Sequence, residues 1–355
     1  MGSALKIGIN AGYWQSGPPA GMTEALEFAD RAGVDSFWTS EAYGSDALTP
    51  LAWWGAITTK IRLGTAVMQM SARTPTAAAM AALTMDHLTG GRFIMGLGVS
   101  GPQVVEGWYG QPYARPLART REYVDIVRQV FAREQPVTHR GQFYQLPLTE
   151  QDAAGVTGLG RPLRSTIHPL RKDLPIVLAA EGPKNIALAA EIADGWLPLF
   201  YAPRLDHEFR ALLDEGFDKR SPALSSPDAF EVSATVPVVH HEDLETALNQ
   251  VRPFLALYIG GMGAKGANFH RNAVDRLGYA EVCDEVQALY LAGKKDQAAA
   301  AVPLDLVDDI ALIGPVERIA QRLAQWRGTA VTSIIAQGSP DSVAALLAAN
   351  ALNNQ

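Results

Sequence analysis

Apolar positions along the chain fall into short blocks of Ile, Val, Leu and Met, each followed by a longer stretch in which they recur every third or fourth residue. The blocks read as strands covered on both faces, the longer stretches as amphipathic helices. Residues 6–11 predict a strand, 23–32 a helix stopped by Gly33, 36–41 a second strand and 47–57 a second helix. Residues 61–69 form a third strand; Gly64 within it suggests a bulge or a close backbone approach, with a core strand that merely carries a small residue as the default reading. The stretch 76–88 is a helix with Pro75 at its start and Gly90–Gly91 at its end. A fourth strand at 92–98 and a helix at 117–131 follow.

The rhythm then breaks over residues 134–173, rich in Gly, Pro and Thr, which predict a short hairpin around Arg140–Gly141 and an irregular excursion. It resumes with strands at 175–181, 195–200 and 230–239 and helices at 183–192, 206–217 and 243–257. A second excursion, Gly-rich and then helical, spans residues 259–303. A helix at 316–326, a strand at 333–337 and a helix at 342–349 end the pattern. Eight strands, each followed by a helix, predict one (β/α)8 barrel, a TIM barrel with insertions, as a single domain over residues 1–355.

Composition narrows the partners. With 48% hydrophobic and 19% charged residues the chain can bury a sizeable core. A net charge of -7 argues against nucleic acid or an anionic membrane, yet leaves room for an anionic cofactor held by backbone N–H groups. The one cysteine, Cys283, lies in a helical stretch and reads as a packing residue; the seven histidines form no metal pattern, and His240–His241 reads as a solvated turn. The first residues lack the basic start and apolar run of a signal peptide, and no long apolar run suggests a membrane span, so a cytoplasmic protein without membrane partners is expected.

Four features could carry chemistry. Gly96, Gly98 and Gly101 have the G-x-G-x-x-G spacing of a dinucleotide turn, but they follow the fourth strand and precede Pro102 and Gly107-Trp-Tyr-Gly110 rather than a helix. They read as a turn at a strand end whose N–H groups, with the Ser100 hydroxyl, face a phosphate; the plainer reading is a turn with no ligand. Glu181-Gly182-Pro183-Lys184-Asn185 joins a strand to a helix, either as an anion site at the helix N-terminus or as an ordinary cap. Glu41 and Asn10 end the second and first strands, where barrel enzymes carry function, with a surface salt bridge as the alternative for Glu41. Tyr13, Trp14, Tyr43, Trp53, Trp54, Trp108, Tyr109, Phe200 and Tyr201 crowd the strand ends and predict a bowl lined with rings, roughly half of them core, with Trp53 and Trp54 facing opposite ways.

These stretches, with Phe37–Ala42, Ile61–Val67, Leu83–Phe93, Ala179–Lys184 and Glu191–Trp196, make the chain resemble the bacterial-luciferase-like oxidoreductases, within them the group that uses the deazaflavin coenzyme F420. The resemblance spans nearly the whole chain and implies a (β/α)8 barrel. It implies a non-proline cis peptide at Ala66–Val67 against the middle of the deazaflavin ring, and an acidic residue near the ring at Glu41. It also implies phosphate-binding positions at Gly98, Val99, Ser100 and Gly101 and at Glu181, Gly182 and Pro183, with Ala180 beside them. The sugar-phosphate dehydrogenases of the group carry a histidine where this chain has Ala42 and a glutamate where it has Gly101, so their acid–base pair is missing. The resulting expectation is hydride transfer between coenzyme F420 and a small, apolar organic substrate in a homodimer, with Glu41 and Tyr43 as the polar groups nearest the substrate. A monooxygenase using reduced flavin mononucleotide (FMN) is the alternative, and a binding-only member the third reading.

Overall fold

The computed structural model describes residues 5–12, 14, 16–263, 266 and 268–353. Eight parallel strands close into a ring: β1 (Lys6–Asn10), β2 (Ser36–Thr39), β3 (Arg62–Thr65), β4 (Phe93–Gly98), β5 (Ile176–Ala179), β6 (Gly195–Leu197), β7 (Glu231–His240) and β8 (Ser333–Gln337). Each pairs with the next, and β8 returns to β1 through Lys6 opposite Ser333, so no barrel edge is left for another chain to extend. The expected (β/α)8 barrel is the fold found.

The lumen is a packed core. Trp38, Ile94, Val177, Leu197 and Ile335, from five different strands, fill it, and Ala66, Val67 and Ala179 lie against them. An indole inside so narrow a ring needs missing side chains around it. A Cβ on Gly64 would stand 2.3 Å from the Trp38 ring, and one on Gly8 would stand 2.4 Å from Ser36 Oγ, which accepts the indole N–H at 2.9 Å. Gly64 is thus a small residue in a core strand, required by the Trp38 ring beside it. The third strand is shorter than the sequence pattern indicates: it ends at Thr65, the Ala66–Val67 peptide is cis, and pairing resumes at Met68–Gln69 against Leu97–Gly98.

The opposite end of the barrel is closed by charge. Arg62 of β3 donates to both oxygens of Glu231 on β7 (3.1 and 3.0 Å) and to Asp35 (2.6 Å), while Lys6 of β1 reaches Glu231 at 2.8 Å. Burial pushes the Glu231 carboxyl up, but Arg62 and Lys6 outweigh it and the net direction is down.

Both excursions are tied to the barrel. In the first, strands His139–Arg140 and Gln145–Leu146 form the expected hairpin, its turn held by the Glu122 carboxylate on the backbone N–H groups of Gln142, Phe143 and Tyr144 (2.7, 2.9 and 3.1 Å). Its end is fastened by Arg171, bonded to Asp86 in the core and to the Phe93 carbonyl. The second is helical: Leu244–Gly260 leads to short segments Phe269–Val274 and Asp275–Tyr279, then Ala280–Leu291 with Cys283 fully buried. A short strand the pattern did not predict, Leu312–Gly314, pairs with Val238–His240. No helix among the described residues is long and apolar enough to cross a membrane.

Two measurements follow. Gly64→Ala forces the indole to shift and lowers stability by about 1–3 kcal/mol in urea unfolding, and the same substitution in a Trp38→Leu background costs clearly less. Glu231→Gln lowers stability by about 2 kcal/mol at pH 7. Because the folded carboxyl titrates below its unfolded value of 4.5, that stabilisation is present above pH 4.5 and is lost as pH falls through the folded value. Wild type and variant therefore converge in acid unfolding.

Candidate functional site

The mouth of the barrel is built from the loops that leave β1 to β5. Its floor is the apolar set Ala66, Val67 and Ala179 on top of the lumen core. The loop after β2 fixes that floor. Ser40 Oγ donates to the Ala66 carbonyl (3.0 Å), the Glu41 N–H to the Val67 carbonyl (3.2 Å), and the Ala66 N–H to the Thr39 carbonyl (2.7 Å). Asn10 joins from β1 with its Oδ1 near Ser40 Oγ (3.3 Å) and accepting the Gly12 N–H (2.9 Å). Across the floor, a Cβ on Gly98 would come 2.4 Å from the Val67 side chain. Gly98 therefore makes room for Val67 rather than only bending a turn.

Glu41 has buried, fully committed oxygens. Oε2 accepts from the Gln69 N–H and Arg73 Nη1, both at 2.8 Å, and Oε1 from Arg73 Nη2 at 2.9 Å. Its side chain is 4% exposed. The Gln69 amide in turn donates to the Glu41 and Ala42 carbonyls (3.2 Å each), and Tyr109 Oη donates to the Ala42 carbonyl (3.1 Å). The carboxylate thus stitches the end of β2 to the interrupted β3; it is neither a free acid at the mouth nor a surface salt bridge. Tyr43, two residues on, is 62% exposed.

The Gly98–Gly101 turn departs from its sequence reading in one respect: it does open a helix, the single turn Pro102–Val105 capped by Gly101. Ser100 sits at φ 57°, a left-handed conformation that turns the backbone sharply, and its carbonyl accepts from Tyr113 Oη at 3.2 Å. Val99 packs partly buried at the edge of the main core. After β5, Gly182 caps the helix Pro183–Ile192 with no side chain bonded to its first turn, and a Cβ there would meet nothing within 4 Å. Ala180 faces outward, its carbonyl accepting the Trp196 indole N–H at 2.8 Å. Glu181 is half of a pair the sequence did not reveal: Oε1 lies 2.7 Å from His270 Nδ1, and the Glu181 carbonyl accepts from Arg276 Nη2 at 2.6 Å.

Among the described residues the rings do not gather in one bowl: Tyr43 and Tyr109 stay on the loops at the mouth and Trp14 packs against Trp54, but the others part company. Trp53 and Trp108 are 74% and 65% exposed, whereas Trp54 packs edge-on against Phe37 in the core. Phe200 and Tyr201 are buried outside the barrel wall, and Tyr13 lies outside the described residues. What does lie beside Glu181 and Pro183 is an apolar cleft of ≈ 330 Å³ lined by Ile186, Leu199, Phe200, Phe209 and Leu277. His241 caps its own turn through Nδ1 (3.0 Å from the Asp243 N–H), and no group of three metal-ligating side chains occurs among the described residues.

Arg73, His270 and Arg276 were the residues missed at this site. None sits in a recognisable motif, and each acts on a partner far away in sequence. Replacing Arg73 with Ala leaves Glu41 buried and unpaired and lowers stability by about 3 kcal/mol. Guanidinium-chloride unfolding measures this, and Arg73→Lys recovers part of the loss.

Comparison with known proteins places this geometry in a family. The family model described as luciferase-like monooxygenase matches residues 1–333. A Mycobacterium tuberculosis protein provisionally named a coenzyme F420-dependent oxidoreductase is 54% identical over 349 residues, covering 98% of this chain and 99% of its own. The 5,10-methylenetetrahydromethanopterin reductase of Archaeoglobus fulgidus is 26% identical over 316 residues, 89% of this chain and 88% of its own. Among solved structures, the coenzyme F420-dependent tetrahydromethanopterin reductase of Methanopyrus kandleri superposes with a TM-score of 0.78 at 20% identity, over 98% of both chains. With its barrel, its interrupted third strand and a family match over nearly its whole length, the chain belongs to the luciferase-like monooxygenase family.

Proposed function

We propose that this chain is a coenzyme F420-dependent oxidoreductase that moves a hydride between the deazaflavin and a small organic substrate with apolar character. The observation that carries the reading is the pairing, at one barrel mouth, of an apolar floor with two turns able to receive a phosphate. The floor of Ala66, Val67 and Ala179 suits a flat ring. Ser100 and Gly101 lie on one side; on the other, the N-terminus of the ten-residue helix Pro183–Ile192 suits an anion through its dipole, although Pro183 has no N–H and those of Asn185 and Ile186 bond the Gly182 carbonyl. The space in front of Gly182 is open, as a bound group requires. The 54% identical relative adds the choice of cofactor.

The cofactor, when bound, supplies a two-electron hydride chemistry that side chains lack. The chain's part is positioning. Glu41, committed to Gln69 and Arg73, acts through the shape of the floor; Ser40 and Asn10 hold the same loop. Tyr43 is the polar side chain next along that loop and the nearest candidate for contact with substrate. The apolar cleft beside Glu181 favours a substrate that buries hydrocarbon surface.

Fluorescence titration checks the cofactor choice. Wild type is expected to bind coenzyme F420 at micromolar concentration and more tightly than FMN. Gly182→Trp sets its Cβ in open space and is expected to lose the binding by filling that space, with an unchanged circular dichroism spectrum showing that the fold is kept. A stronger affinity for FMN would turn the reading towards the monooxygenase.

A further inference from the structure

The alternation of the strands brings a second set of side chains to the mouth, apart from the apolar floor. A Cβ on Gly8 would stand 3.3 Å from the Trp38 indole nitrogen, so Gly8 faces the lumen, and Asn10, two residues on, faces the same way one layer higher. Ile335 of β8 belongs to the lumen core and pairs with Gly8 on one side and with Thr235 of β7 on the other. Thr235 therefore points inward, and so does Gln337, two residues beyond Ile335. Glu231 pairs with Gly195, which sets Ser233 level with the lumen residue Leu197 and Thr235 one layer above it. Asn10, Thr235 and Gln337 thus top the core on the neighbouring strands β1, β7 and β8, across the ring from β3 and β5, whose ends carry Ala66, Val67 and Ala179.

These three side chains have hydrogen-bonding capacity to spare. Asn10 Oδ1 accepts the Gly12 N–H at 2.9 Å, which fixes the other amide atom as Nδ2, and Nδ2 has no partner among the described residues. Neither the Thr235 hydroxyl nor the Gln337 amide has one. Asn10 and Thr235 are each 9% exposed, yet neither Nδ2 nor Oγ1 is a sealed atom, so both open on the mouth. Ser40 and Glu41 beside them are by contrast committed to Ala66, Gln69 and Arg73. Polar groups held mostly out of water lack solvation that a hydrogen-bonding guest restores. None of the three ionises, Arg73 is spent on Glu41, and Lys6 and Glu231 of the same strands pair with each other at the closed end. A carboxylate or phosphate would give up its water here with no free cation from these strands in return, so the group that fits is uncharged.

We propose that Asn10, Thr235 and Gln337 form a subsite for an uncharged oxygen of the substrate, a ketone carbonyl or the matching alcohol. Asn10 Nδ2 donates to that oxygen in either form. The Thr235 hydroxyl and the Gln337 amide can each donate or accept, so the subsite serves both members of the ketone–alcohol pair. It orients the substrate from the side of the mouth opposite the apolar floor, and it discriminates against acids and phosphate esters. This names the substrate class and rests on the F420 reading above.

The test is a ligand-observed NMR titration of the chain, with and without saturating coenzyme F420, using cyclohexanone, its oxygen-free shape analogue methylenecyclohexane, and cyclohexanecarboxylate. Wild type is expected to bind the ketone on the order of 10-fold more tightly than either of the others. Asn10→Asp keeps the oxygen that Gly12 uses and exchanges only the free donor. It is expected to weaken the ketone on the order of 10-fold and to leave the alkene within about twofold. Thr235→Val and Gln337→Met are expected to weaken the ketone about threefold each. Unchanged circular dichroism shows that each variant keeps the fold. A wild type that binds the ketone no better than the alkene overturns the subsite. So does equal ketone binding by wild type and Asn10→Asp, or tightest binding of the carboxylate. Ketone selectivity that persists in a chain unable to bind coenzyme F420 removes the F420 reading and leaves the subsite standing.

Discussion

The buried carboxylate of Glu41 accepts three hydrogen bonds, two from Arg73 and one from the Gln69 backbone, and the mouth of the barrel takes its shape from them. Glu41 lies where β2 leaves the ring, and Gln69 and Arg73 lie just past the point where β3 is interrupted. Joining the two fixes the path of residues 65–69, and with it the apolar surface that Ala66 and Val67 present. An ion pair so placed is a costly way to gain stability alone, because both groups give up water. What it secures is one arrangement of two loops, together with the bonds of Ser40, Gln69 and the backbone that run between the same segments.

The same logic of exclusion runs below the floor. Trp38 occupies the lumen because Gly8 and Gly64 leave it space, and Gly98 does the same for Val67. Each glycine is a missing side chain required by a neighbour on the adjacent strand. The lumen is thus solid up to Ala66, Val67 and Ala179, which leaves no room for a ligand inside it. The charged closure by Arg62, Glu231 and Lys6 at the other end is a stability feature remote from the mouth.

Period and turn signals carry most of the barrel, since buried strands and amphipathic helices depend on local alternation. The eight strands and both excursions stand close to their sequence positions; Leu312–Gly314 is missed because three residues give too short a pattern. Strand ends also mark Glu41, the glycine turn and Gly182 as points facing the mouth. Their partners are not local. Arg73 follows Glu41 by 32 residues, and His270 follows Glu181 by 89, so only the folded chain brings them together. The aromatic residues show the opposite failure: their number near strand ends is visible, but packing divides the described ones between core, surface and mouth. The cis Ala66–Val67 peptide came from family resemblance, not from any property of the residues themselves.

If the mouth receives a flat ring on Ala66–Val67 and a phosphate between the two turns, a crystal structure of the chain grown with coenzyme F420 will show the ring against Ala66 and Val67 and the phosphate between Ser100–Gly101 and the first turn of Pro183–Ile192. Electron density for the coenzyme elsewhere, with both turns empty, would rule this placement out.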